Sequence, residues 1–151
     1  MMPPPPPPPP PGSSQLFPDD KNEQTRIFKA EAVKTRNLLL GISGLYFVGN
    51  ALPVIIAGGA GGSIALAFII TIIFLGMGLL AITQPFIAAV ISGVVIVIMF
   101  ILLIVATGQL AGAAGWVIIL PWLIFLAAAA LGIAAFMSAN KAEQARKKLG
   151  N

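Results

Sequence analysis

Four stretches of this chain are apolar almost without interruption, at residues 38–57, 64–82, 86–106 and 116–137. A helix rises ~1.5 Å per residue, so about 20 residues cross a hydrocarbon core of ~30 Å, and each stretch predicts one membrane-spanning helix. The breaks carry turn chemistry: the run Gly58-Gly59-Ala60-Gly61-Gly62-Ser63, the Thr83-Gln84-Pro85 turn, and a segment from Thr107 to Gly115 holding Gln109 and further glycines. Strands of a membrane barrel would alternate apolar and polar positions over about 10 residues, and no such alternation occurs. The pattern therefore predicts an all-α membrane protein, a four-transmembrane-helix bundle.

Polar residues collect at the two ends. Residues 1–19 form a Pro-rich head in which Pro3 to Pro11 is unbroken, and such a run favours an extended polyproline rod with no packed core. The expectation is a disordered head, either a ligand for a Pro-rich-motif reader or a spacer. Residues 20–37 predict a charged juxtamembrane helix in the headgroup layer that runs into the first span. Asp20 and Glu23 stand at capping-box spacing, and the pairs Glu23/Arg26 and Glu31/Lys34 stand at i,i+3. Ile27, Phe28 and Val33 supply its thin apolar stripe. Residues 138–151 predict a basic tail that prolongs the last helix, with Glu143 and Lys147 at i,i+4.

Charge sharpens this picture. All nine Lys and Arg and all five Asp and Glu lie outside residues 37–140, which also contain no histidine. A soluble domain normally keeps roughly a quarter of its residues charged, so this interior must be solvated by lipid. Basic residues precede the first span and follow the last, and none lies between. The positive-inside bias then puts both ends in the cytoplasm of a plasma or inner membrane. The Thr83-Gln84-Pro85 turn faces the same way, and Trp116 and Trp122 fall in the outer interfacial belt. A sequence pI near 9.9 reflects these flanks. It does not imply nucleic acid binding, because no basic surface with interleaved aromatics accompanies it. Arg146, Lys147 and Lys148 form a cluster suited to anionic lipid. No cleavable leader is expected, since the first apolar run begins only at Leu38.

The chemistry available is narrow. The chain has no cysteine and no histidine. That removes thiolate chemistry, the commonest general base and the usual metal ligands, so no cofactor and no catalysis are expected. No ionisable carboxylate, His or Arg lies within the spans, as proton-coupled transport or voltage sensing would need. The interior polar residues are Ser43, Tyr46, Asn50, Thr71 and Ser92. Among them Asn50 stands out, one turn before Pro53. Pro53 cannot donate to the Gly49 carbonyl, and Pro121 does the same to Val117 in the fourth span. Asn50, Pro53 and Pro121 fall at similar depth in the outer leaflet and form a candidate groove or small-ligand cleft. Ala89-x-x-x-Gly93 and Ala128-x-x-x-Gly132 predict close helix packing within the bundle or in self-association. The functional expectation is a non-enzymatic scaffold or accessory subunit, acting through the lipid bilayer, another membrane protein or a reader of the head. The alternative is an oligomeric channel or carrier for a small neutral or apolar solute.

Overall fold

The computed structural model describes residues 18–51, 61–109 and 115–150. Helix α1 spans Pro18–Tyr46 and passes into a π-helical turn over Phe47–Ala51. Helices α2 (Gly61–Leu80), α3 (Pro85–Gln109) and α4 (Gly115–Gly150) follow, and the described residues are otherwise only the α2–α3 turn. Residues 1–17 of the Pro-rich head and Pro53 lie outside the described residues, and Pro18 and Asp19, expected in the head, belong to α1.

Local chemistry sets several of the ends. Pro18 opens α1 and Pro85 opens α3, where a proline's missing N–H costs nothing because the first-turn donors have no helical partner. The cap expected at Asp20 therefore lies inside the helix. The α2–α3 connection is tight: Gln84 N–H donates to Leu80 C=O at 2.9 Å and Ala88 N–H to Gln84 C=O at 3.1 Å. The π turn over Phe47–Ala51 widens the helix by one residue at the end of α1.

The helices run alternately up and down. α1 makes its longest contact with α4, α2 packs on α1, and α3 packs on α4, whereas α2 and α3 touch each other little. The core therefore lies along the α1–α4 seam, where Leu39, Ile42, Ala128 and Ala135 are buried, and Phe74 of α2 closes one side.

That seam has a regular spacing. On α1, Ala32, Thr35, Leu39, Ile42 and Tyr46 are all buried, at alternating steps of three and four; on α4, Ala128, Ala135 and Ala142 stand seven apart, with Ser138 and Ala145 between and beyond them. Steps averaging 3.5 residues keep one stripe of each helix facing the other along a left-handed pair. The seam does not stop where the apolar sequence stops. It joins the charged start of α1 to the basic end of α4, and Ser138 Oγ donates to the Glu31 side chain and to the Glu31 carbonyl at 3.3 Å.

Helix α1 continues unbroken from Pro18 to Tyr46, so the charged segment and the first apolar stretch share one helix. Ile27 and Val33 are exposed, at 38% and 45%, and the buried stripe runs instead through Ala32 and Thr35. The carboxylate of Glu143 meets Arg146 at 3.9 Å, one residue short of Lys147, and that of Glu31 is taken by Ser138, not Lys34. Small residues set the buried face of α1, because alanine and serine let the helix axes approach closely.

Among the described residues, two helices are long and apolar enough to cross a membrane, over Pro85–Val105 and Ile119–Gly150, and α2 contributes the shorter apolar stretch Ala65–Leu80. Within the bundle, Ser43 Oγ donates to the Thr71 carbonyl across the α1–α2 contact at 3.0 Å, and Thr71 Oγ1 donates back to Ala67 at 2.9 Å. Ser92 is buried with its hydroxyl unpaired. Ser43→Ala should then weaken the fold by about 0.6 kcal/mol, the average for a hydrogen bond between helices in a membrane. Ser92→Ala should be neutral or stabilising, because an unpaired buried hydroxyl is a cost. Unfolding in mixed micelles ranks the two, and a Ser92 variant weaker than the Ser43 variant would contradict this account.

Candidate functional site

Two polar side chains lie together near the end of the bundle remote from the charges. Tyr46, in the last turn of α1, and Asn50, in the π turn, are four residues apart and lie on one face. Both line a pocket of about 170 Å³ to which every helix contributes. α2 supplies Leu66, α3 supplies Met99, Leu102 and Leu103, and α4 supplies Pro121, Ile124 and Phe125.

The walls are held by packing. The Tyr46 ring stacks on Phe74, with centroids 6.1 Å apart and planes inclined at 27°. Phe125 stacks on Phe100 at 5.2 Å, and Trp122 meets both rings edge-on at 5.9 and 6.4 Å. Gly49 brings the π turn against α4 so closely that a Cβ there would collide with the Ile124 side chain. The approach of α1 to α4 at the pocket thus depends on the missing side chain of Gly49.

Asn50 and Pro121, expected to share a depth, are brought together in this pocket; Pro53 lies outside the described residues. Tyr46 was noted in the sequence only as an interior polar group, and its spacing of four from Asn50 was the available signal that the two act together. Pro121 interrupts α4 from within and leaves the Val117 carbonyl without its usual donor.

The packing residues divide. Ala89 and Ala128 are buried, and a Cβ on Gly132 would stand 2.6 Å from Ile96 Cδ1, so Gly132 permits the α3–α4 contact. Gly93 does not, since a Cβ there would meet nothing within 4 Å. It is exposed instead, and together with Ala89, Gly132 and Phe136 it lines an open apolar groove of about 590 Å³ on the α3–α4 face. At the charged end, Arg146, Lys147 and Lys148 are all exposed near the tip of α4.

No protein family, no curated protein and no solved structure matches this chain.

Proposed function

We propose that this protein is an integral membrane protein of four spans, both ends cytoplasmic, that works as a scaffold or accessory subunit by lateral contact and not by catalysis. The observation that carries the reading is the outward turn of its apolar side chains. Only 17% of the Pro85–Val105 stretch and 11% of the α4 stretch are buried. The core helix of a water-soluble protein of this hydropathy would be mostly buried, and here Ile72, Leu79, Val97 and Ile133 are each more than half exposed. Such a surface is stable in hydrocarbon and costly in water.

Helix length supports the same placement. At ~1.5 Å per residue, α2 and α3 match a ~30 Å core, whereas α1 and α4 are longer. Their paired charged ends then stand clear of the bilayer as a short helical stalk. Arg146 is nine residues beyond Met137, so the basic cluster sits more than ~10 Å above the last apolar residue. Anionic headgroups attract it there by less than the ~1 kcal/mol per residue available at the surface. The stalk and the Pro-rich head ahead of it face the cytoplasm, where a protein partner can reach both, and the α3–α4 groove offers a contact within the membrane.

Extraction of native membranes into polymer-bounded discs, followed by affinity capture of the intact chain and of a chain lacking residues 1–14, tests this. The expected result is co-purifying protein that depends on the head or on the groove, the latter probed by Gly93→Leu. Recovery in the soluble fraction, or a bare monomer from every form, would end the proposal. Solute flux through the purified protein in liposomes would make it a channel instead.

A further inference from the structure

Besides acting through contact, the chain contains a cleft with the attributes of a ligand site. We propose that the pocket bounded by Tyr46, Asn50, Met99, Pro121 and Phe125 binds a neutral, ring-sized lipophile carrying one hydroxyl or carbonyl group, admitted from the bilayer.

Size comes first. A volume of about 170 Å³ is close to that of an apolar protein cavity of about 150 Å³ that takes up benzene, and well below that of drug-sized sites. One ring with a small head fits, and a larger molecule does not.

Polarity comes second. Ser43 and Thr71 each discharge their hydroxyl onto a carbonyl within the bundle. Tyr46 is 8% exposed and Asn50 half-buried, both line the pocket, and among the described residues neither side chain hydrogen-bonds to another. Unpaired donors surrounded by hydrocarbon are costly, and a phenol and a carboxamide one turn apart can share a single guest atom. A carbonyl oxygen would accept from both; a guest hydroxyl would donate to Asn50 Oδ1 and accept from Tyr46. Residues 37–140 carry no charge, so nothing would compensate an ionised guest.

Backbone form comes third. One wall is a π turn, a rare feature found mostly as a single turn at functional positions, and the facing wall is broken by Pro121. The stacked rings of Phe125 and Phe100 offer a flat aromatic surface to a guest ring.

The test uses the full chain in phosphatidylcholine nanodiscs, with 4-fluorophenol as the probe and its fluorine resonance as the readout. Fluorobenzene serves as the headless comparison, and empty discs correct for partition into lipid. Saturable binding of 4-fluorophenol above empty discs is expected, about tenfold tighter than that of fluorobenzene. Tyr46→Phe keeps the ring and its stack on Phe74, so folding is preserved. That variant and Asn50→Leu should each weaken 4-fluorophenol by roughly threefold to tenfold and leave fluorobenzene unchanged. No excess over empty discs, equal affinity for the two probes, or Tyr46→Phe without effect would overturn the proposal. So would saturation seen only in discs of ether-linked lipid, because ester carbonyls of ordinary lipid would then be the natural occupant.

Discussion

Replacing Ala139 and Ala142 with leucine should unzip the charged ends of α1 and α4 and leave the rest of the bundle folded. Both alanines are 0% exposed, and Ala142 lies on the seam opposite a stripe of α1 in which Ala32 and Thr35 are 3% and 0% exposed. Three added carbons at either site have nowhere to go without parting the helix axes, and overpacking of this kind costs about 1–3 kcal/mol. The two sites are neighbours, so their costs will not simply add. An alanine seam buries little area per residue, which leaves the stalk too weak to absorb such a loss. Gln144→Leu, exposed on the same turn of helix, should stay within about 0.5 kcal/mol of the parent. Because the chain has no cysteine, Glu31→Cys with Ser138→Cys gives a unique reporter pair at a hydrogen bond that joins these segments. Rapid oxidative cross-linking of that pair is expected in the parent and its loss in the leucine variants. Cross-linking unaffected by leucine would show that the stalk is not held by this seam.

The sequence made some of this legible and concealed the rest for a definite reason. Hydropathy and the Pro85 turn place the helices, because lipid solvation imposes a length on any helix that spans it and proline marks where a helix can start. The convergence of Asn50 and Pro121 was legible too, since both sit near the same end of antiparallel helices and depth along a helix is simply residue count. What periodicity could not give is which face meets which neighbour. In water the largest apolar residues mark the buried face, and the only large apolar residues of the charged segment are Ile27, Phe28 and Val33, of which Ile27 and Val33 are exposed. The contact runs instead through Ala32 and Thr35, which are too small to register as hydrophobic but are the residues that let two backbones come close. Gly93 misled in the opposite way. Its spacing from Ala89 suits a packing motif, yet the partner helix is engaged one turn away through Ala89 and Gly132, so the glycine is left facing outward. Charge spacing was equally ambiguous, because Glu31 had an intrahelical cation within reach and met a serine 107 positions away.

Phe74→Ala should give the largest loss of any single truncation within the bundle, and its size bears on whether lipid or water surrounds the fold. Phe74 is 0% exposed and carries the Tyr46 ring on its face. In a water-soluble core, phenylalanine truncation costs about 3–5 kcal/mol, partly from lost transfer out of water and partly from the cavity left behind. For a helix that stays in hydrocarbon when the bundle comes apart, the transfer part nearly vanishes, since lipid tails are as apolar as the core. The cavity part survives at about 24 cal/mol per Å³, or roughly 2 kcal/mol for the volume of a phenyl ring. The lost stack adds about 0.5–1.5 kcal/mol. The expected total is therefore roughly 2.5–3.5 kcal/mol, read by unfolding in bicelles, with Ile72→Ala on the 61% exposed face near zero. Binding of 4-fluorophenol should fall in parallel, because Tyr46 loses the surface that fixes its ring, whereas Ile72→Ala should leave it intact. A Phe74 variant as stable as the parent would mean that the α1–α2 contact does not hold the pocket together. An equally large loss from Ile72→Ala would mean that the outer face is packed against something other than lipid.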